Sequence, residues 1–432
     1  MLRERRTPAD KTAPDVFDDR RALAEAERCL YCFDAPCTSA CPVHIDIPGF
    51  IAMIRSGNAP GAAWLVRNAN ALADTCGRIC PSEVYCQPAC TRAKQDAPVR
   101  IRELHLHATR SERTREFHPE TAPRTGKRVA VLGAGPAGLG CAFELAKLGH
   151  DVDLYNDGPP GGVPLKSIPP FRLPEEDLLH DTGILGRFFS AHDGTIDAPM
   201  FGGFTGNHDA VFVAVGLGRD RPLGIPGEEM ESVFPVLRFL ETAKKKPHTL
   251  MIGSRVIVVG GGNVSLDAAS TAVRLGAAEV TLLYRRGERQ MLVWSAELEE
   301  ARRLGVEFRF HAIPLEILGT GRVEGVRCRT MRLSAENDDS GRPVPVEVPG
   351  SDFLLPADTV IVAVGQDLRA DWLTGLRRTA RGFISVDGNF QSSMSGVFAG
   401  GDAVSGEGTV VRSLAHGKQA AHAIDEYIMR RG

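Results

Sequence analysis

Apolar and polar positions change rhythm three times along the chain. Up to residue 126, short stretches such as DDRRALAEAERCL and IDIPGFIAMIRSG repeat apolar residues every three or four positions, which predicts amphipathic helices separated by polar turns. The polar, proline-containing segment HPETAPRTGK then predicts a linker. After it, KRVAVLGAGPAGLGCAFELAKLGHDVDLYN predicts a buried β-branched strand, a glycine turn, an amphipathic helix and a second strand. The same succession returns 127 residues later in SRVIVVGGGNVSLDAASTAVRLGAAEVTLLYRR. Apolar runs at 209–216 (DAVFVAVG) and 358–365 (DTVIVAVG) close the two copies alike. A last strand, a Gly-Asp turn and a long helix are predicted from GVFAGGDAVSGEGTVVRSLAHGKQAAHAIDEYI.

A chain of 432 residues has room for two or three domains, each with its own core. With 43% hydrophobic residues, 24% charged residues and a net charge of -3, the composition is globular, without the basic excess that nucleic acid or an anionic membrane would call for. Neither a signal-length apolar stretch after MLRERRTPADKTAPD nor a run of about 18 apolar residues elsewhere occurs, so a cytoplasmic location is expected. Thiols stay reduced there, and grouped cysteines then point to metal rather than to disulfides.

Eight of the ten cysteines lie between Cys29 and Cys90. The first group reads Cys29-x2-Cys32-x4-Cys37-x3-Cys41-Pro42, and the second Cys76-x3-Cys80-x5-Cys86-x3-Cys90. Such short spacings let one loop wrap several thiolates around an iron–sulfur core, and a cysteine before proline commonly ligates the neighbouring cluster in two-cluster ferredoxins. Paired structural zinc sites are the competing assignment, but these usually repeat CxxC at longer separation. Cys141 and Cys328 fall in helix and strand patterns as small core residues.

Gly133-x-Gly135-x-x-Gly138 follows a strand and opens a helix, the context of a Rossmann-like turn that seats a pyrophosphate on the positive end of the helix. At the end of the following strand, where an acid often binds ribose, stand Asn156 and Asp157. The second copy offers Gly260, Gly262 and Asn263, with Ser265 at the third glycine position. Its second strand runs into Arg285 and Arg286, two guanidinium groups suited to a 2′-phosphate, which favours NADPH over NADH unless they are an ordinary solvated strand end.

The segments ERCLYCFDAPCTSACPVHIDIPGF, ADTCGRICPSEVYCQPACTRAKQDAPVRI, GAGPAG, IPPFRLP, GGGNVSLDAA and AGGDAVSGEGTVV together resemble the family of the glutamate synthase small subunit and the flavin/iron–sulfur portion of dihydropyrimidine dehydrogenase. NALADTCGRICP and CTRAKQDAPVRI resemble its dihydropyrimidine branch most closely. The resemblance implies an α-helical domain with two [4Fe–4S] clusters over 1–126, an FAD domain split between 127–225 and 366–432, and an inserted NAD(P)H domain over 226–365. It implies Cys29, Cys32, Cys37 and Cys90 as ligands of one cluster and Cys41, Cys80 and Cys86 as ligands of the other. Cys76 is a non-ligand in that pattern, and the position of the last ligand falls on His105. For FAD, the resemblance adds Gly401, Asp402 and Thr409, the last at the start of the terminal helix, whose positive end would face the flavin.

A nicotinamide surrenders two electrons together and a cluster accepts one, so FAD is expected between them, and hydride transfer calls for no catalytic side chain. The resemblance further implies a larger partner: an FMN-containing subunit that reduces uracil or thymine, or alternatively the glutamate synthase large subunit. A stand-alone NADPH:acceptor reductase is a third possibility within the family. A thioredoxin-reductase-like activity would need a CxxC within the nucleotide domains, and the sequence has none after residue 90.

Overall fold

The computed structural model describes residues 16–431 except 339 and 407, so the first fifteen residues of the expected cluster domain lie outside the described residues. The described chain forms two units. One comprises residues 16–165, 172–218 and 368–431, and the other residues 166–171 and 219–367.

The first unit begins with seven short α-helices between Asp19 and Ser111. Their starts are written in the sequence. Asp18 accepts a hydrogen bond from Arg21 N at 2.8 Å, Asp46 from Gly49 N at 3.0 Å and Asn58 from Gly61 N at 3.0 Å. Each such cap contributes about 1 kcal/mol. Helix Ile47–Arg55 buries Ile47, Phe50, Ile51 and Ile54, as the three-and-four spacing predicts.

A five-stranded parallel sheet follows, in the order Val397–Ala399, Ala210–Val213, Arg128–Leu132, Asp151–Asn156, Ser190–Asp193. Val129, Ala130, Val131 and Leu132 are all fully buried, because helices cover both faces of a parallel sheet. Burying each of the larger side chains contributes about 1.5–3 kcal/mol. Helices Pro136–Lys147 and Val410–Met429 pack against one another.

The second unit repeats the parallel design with Val233–Pro235, Thr359–Val362, Arg255–Val259, Glu279–Tyr284 and Glu307–Phe310. To this it adds an antiparallel sheet, Ala312–Leu318, Gly325–Asn337 and Pro343–Pro356, that the apolar periodicity of the sequence does not reveal. Its two long strands are mostly half-exposed and interrupted by register shifts, which blurs the alternation that marks a strand in sequence.

Within the first unit, a buried charge network joins the cysteine-bearing helices to helix Glu175–Leu185. Asp181 accepts from the backbone N–H groups of Asp74 (3.1 Å) and Thr75 (2.8 Å), capping helix Ala73–Ile79 from outside, and pairs with Arg67 at 3.2 Å. Arg67 also pairs with Asp74, to which His180 is hydrogen-bonded at 2.7 Å. Against the upward push of burial, the His180 hydrogen bond and the Arg67 and Arg113 guanidinium groups hold Asp74 well below the usual carboxylate range. Burial and the Asp74 carboxylate push Asp181 up. Asp74, His180 and Asp181 have the spacing of a metal site, but Arg67 and Arg113 already supply the positive charge there. Deeper still, Arg78 Nε donates to Asp177 at 2.5 Å, with side chains 7% and 0% exposed, and Arg113 reaches the same carboxylate.

Truncating one member of a buried ion pair leaves the other charged and dry, at a cost of about 3–5 kcal/mol. Asp177→Ala is therefore expected to shift denaturant unfolding of the cysteine-bearing unit to markedly lower concentration, read by flavin fluorescence and far-UV circular dichroism. An unchanged midpoint would show that water replaces the carboxylate without loss.

Candidate redox centre and nucleotide sites

The loop that carries Cys29 is fixed to the segment after Cys90 by one arginine. Arg28 donates to Ala97 O at 2.6 Å and pairs with Glu25 and Asp96. Cys32 Sγ lies 3.3 Å from Thr91 Oγ1. Tyr31, Ala35 and His44 adopt left-handed backbone conformations, the tight bends that fold the loop on itself. Burial raises Cys29, with Cys90 and Cys32 adding to the effect, and burial, Cys90 and Cys29 push Cys37 up to about 11. Cys29, Cys32, Cys37 and Cys90 are thus brought together.

A second group forms beside it. Burial raises Cys80 well above its ordinary value, the neighbouring thiols Cys76, Cys86 and Cys41 add to the effect, and Arg102 opposes it. Cys76 and Cys86 are each pushed up to about 12, mainly by burial, with Cys41 acting on both. All ten cysteines are free thiols. Thiols so placed ionise only when a cation takes the place of lost water, and thiolates bridged to iron meet that condition. Two cations flank the second group: Arg102, whose Nη1 donates to Cys80 O at 3.3 Å, and Lys418, whose Nζ donates to Val43 O at 3.2 Å; burial raises Cys41, and Lys418 offsets only a part of that rise.

His105 lies on helix Ile101–Ser111, buried, with its ring edge-on to Phe50. Burial lowers it to about 4, so the imidazole is neutral, and Nε2–H donates to Ala73 O at 2.8 Å. Nδ1 then keeps the lone pair. The charges that bear on the ring are Asp74 and Arg67, whereas Cys76 is the group that stands with Cys41 and Cys80.

The first glycine turn is built for close approach. Gly133 has φ +106°, and a Cβ there would stand 2.6 Å from Ala214 O. At Gly138 a Cβ would fall 1.8 Å from Gly133 O, while Gly135 faces open space apart from Gly162 at 3.9 Å, leaving a cradle for a pyrophosphate at the start of helix Pro136–Lys147. Asn156 is a strut of this cradle. Its Oδ1 accepts from Ala134 N at 2.9 Å and its Nδ2 donates to Gly158 O at 2.7 Å. Gly401 sits against Ala137, with φ +69°, and Asp402 accepts from Ser413 Oγ at 2.9 Å, so both adjoin the same turn. Thr409 caps helix Val410–Met429 and shares a hydrogen bond of 3.3 Å with the hydroxyl of Tyr85, which lies between Cys80 and Cys86. Tyr85 thus joins the second thiol group to the helix start, a role its place inside a ligand-bearing loop could have signalled.

In the second unit, a Cβ on Gly260 would lie 2.4 Å from Ala363 O, whereas Gly262 has no neighbour within 4 Å. Ser265 Oγ donates to Gly262 O at 2.6 Å, bracing the turn where a third glycine is absent. Asn263 Oδ1 accepts from Trp294 N at 2.9 Å, drawing the segment after Arg286 across the turn. Arg285 is exposed. Arg286 is buried, pairing with Asp338 at 2.5 Å and donating to Pro343 O.

Residues 6–117 match the family described as dihydropyrimidine dehydrogenase domain II, 4Fe-4S cluster, and residues 187–425 match pyridine nucleotide-disulphide oxidoreductase. The glutamate synthase [NADPH] small chain of Halomonas elongata is 34% identical over 439 residues, covering 96% of this chain and 92% of that one. The NAD-dependent dihydropyrimidine dehydrogenase subunit PreT of Escherichia coli is 35% identical over 429 residues, covering 97% of each. The chain spans 60% of the NADP(+)-dependent formate dehydrogenase subunit beta of Moorella thermoacetica, at 36% identity. Among solved structures, FprA of Mycobacterium tuberculosis in complex with NADPH shares the fold at a TM-score of 0.60 and 21% identity, over 71% of this chain and 85% of that one. Thioredoxin reductase of Lactococcus lactis does so at 0.55 and 19%, over 70% and 99%. No helix among the described residues is long and apolar enough to cross a membrane. Alignment along nearly the whole of both partners is what decides the matter: the chain belongs to the family of the glutamate synthase small chain and the dihydropyrimidine dehydrogenase subunit PreT, NAD(P)H-dependent oxidoreductase subunits that transfer electrons through FAD and iron–sulfur centres.

Proposed function

We propose that this chain takes electrons from NADPH, in preference to NADH, and delivers them to a larger FMN-containing subunit that reduces uracil or thymine to the 5,6-dihydro compound. The likeness to PreT over 97% of both chains carries the partner and the substrate in this reading, while the preference for NADPH over the NAD of that relative rests on the arginines at the end of strand Glu279–Tyr284. The glutamate synthase small chain aligns almost as fully, over 96% of this chain, and supports a second reading in which the partner is the glutamate synthase large subunit. FAD, when bound, accepts hydride from the nicotinamide and passes electrons on singly to the clusters.

The residues have distinct tasks in this scheme. Gly133, Gly135 and Gly138, braced by Asn156, would hold the FAD pyrophosphate, and Gly401, Asp402 and Thr409 the flavin side of the same cofactor. Gly260, Gly262 and Asn263 would hold the nicotinamide nucleotide. Cys29, Cys32, Cys37 and Cys90 would bind one [4Fe–4S] cluster, and Cys41, Cys80 and Cys86 three corners of a second. Two groups can fill the fourth corner: His105 through Nδ1, or the Cys76 thiolate.

Anaerobically purified protein is expected to contain about eight irons and, by the same stoichiometry, one FAD per chain. NADPH should bleach the flavin and elicit reduced-cluster EPR signals at lower concentration than NADH does. Zinc in place of iron, without flavin, would remove the electron-transfer reading. Of the two candidate partners, the one whose addition lets NADPH drive product formation is the physiological acceptor.

The fourth corner is decided by pulsed EPR on protein labelled with ¹⁵N-histidine. Strong ¹⁵N coupling that vanishes in His105→Ala assigns the imidazole. No coupling in the native protein, with one cluster lost or converted in Cys76→Ser, assigns the thiolate.

Tyr85→Ala removes the link to Thr409 and lets the cluster loop move away from the helix start. Stopped-flow mixing with NADPH should show flavin bleaching at the native rate and cluster reduction slowed severalfold, because electron tunnelling falls off steeply with distance. An unaltered cluster rate would show that Tyr85 has no part in the route.

A further inference from the structure

Strand Glu279–Tyr284 ends in two arginines with opposite fates. The Arg286 side chain is 3% exposed, with Nη2 donating to Asp338 Oδ2 at 2.5 Å and Nε to Pro343 O at 3.0 Å. Its carbonyl accepts from His311 N at 3.1 Å. Arg286 is therefore spent on fastening Asp338 and Pro343, which stand at the two ends of the connection between strands Gly325–Asn337 and Pro343–Pro356 of the antiparallel sheet. Asp338 is the knot of that connection. Its Oδ1 accepts from Ser340 N at 2.9 Å, Ser340 Oγ at 2.5 Å and Arg342 N at 3.2 Å.

The fastening carries a third guanidinium group to the strand end. Arg342 leans on Ser340, its Nε donating to Oγ at 2.9 Å. Arg285 is exposed and has no hydrogen bond or ion pair among the described residues. Although Arg285 stays exposed, the protein around it displaces part of its water and lowers it, the like charges of Arg286 and Arg342 lower it further, and Tyr284 and Asp338 act the other way. Among the described residues, the guanidinium groups of Arg285, Arg286 and Arg342 thus share the neighbourhood of Asp338, whose oxygens are already engaged, at the end of the second strand after the glycine turn. A phosphate monoester with its acceptor oxygens matches such a cluster, and the ribose end of a dinucleotide lies at that place in a Rossmann-like unit.

We infer that Arg342, on a loop far from the glycine turn in sequence, is a specificity-determining residue for the 2′-phosphate of NADPH. Arg285 is its partner in contact, and Arg286 is a positioning residue that acts through Asp338. This inference rests on the proposed preference for NADPH, and it adds the residue that the strand-end motif does not contain.

The test uses the complete holoprotein and calorimetric titration with adenosine 2′,5′-bisphosphate, with 5′-AMP as the reference lacking the 2′-phosphate. Native protein should bind the bisphosphate more tightly. In Arg342→Gln the affinity for bisphosphate should fall about tenfold to a hundredfold relative to AMP, the effect of one lost charge-assisted hydrogen bond. Native-like discrimination in Arg342→Gln, together with its loss in Arg285→Gln, would overturn the inference and leave the NADPH reading standing. Equal affinity of the native protein for the two probes would overturn both. Asp338→Ala separates positioning from simple electrostatics. Removing a carboxylate should strengthen anion binding if only charge mattered, whereas loosening the loop should weaken it, and stronger bisphosphate binding in this variant would refute the positioning role.

Discussion

Charge taken out of water has to find a partner, and this requirement organises the unit that begins at the cysteine-bearing helices. Eight thiols crowd into a region of small helices, and burial raises Cys29, Cys37, Cys41, Cys76, Cys80 and Cys86, favouring the protonated form until something cationic arrives. Lys418 and Arg102 stand at the rim of the second group, too few to neutralise it, and a multivalent iron core completes the balance. A few residues away the same problem has a wholly protein solution. Arg67, Arg78 and Arg113 meet Asp74, Asp177 and Asp181, all buried or nearly so, and one of those carboxylates also caps the helix that carries Cys76. The thiol groups are thus set on a frame that is stable only as a complete set of charges.

Much of this was legible in the sequence, for reasons that differ by element. The helix starts were readable because Asp18, Asp46 and Asn58 act on residues three positions away. The two parallel sheets were readable because strands buried on both faces are written as unbroken apolar runs, as in RVAVL and RVIVV. The glycine turns announced themselves through spacing. What escaped was long-range. The partners of Asp74 and Asp177 lie up to about a hundred residues off, as with Asp181 and Arg78, and no local pattern encodes such a pairing. The bracing of the turn by Asn156, which stands where a ribose-binding group is expected, was also out of reach, because its distance from Ala134 is short only once strand and turn have folded.

Arg286 shows the same limit from another side. Two adjacent arginines look equivalent in sequence, but the strand end turns one outward and the other into the hairpin loop of a sheet that the periodicity did not reveal. Half-exposed strands with shifted register carry little hydrophobic signal, so an element that shapes the nucleotide site stayed hidden while the turn at its centre was plain.

The grip of Lys418 on the carbonyls of Val43 and Ala69 spans 375 residues of sequence in the first case. The helix bearing it, Val410–Met429, also packs on the helix that follows the first glycine turn. During vectorial synthesis the cysteine loops leave the ribosome long before the lysine that braces them exists. Iron delivery to a nascent chain would therefore meet an unbraced scaffold. The brace on the second thiol group is thus in place only once translation has passed Lys418, whatever the order in which the thiols themselves emerge.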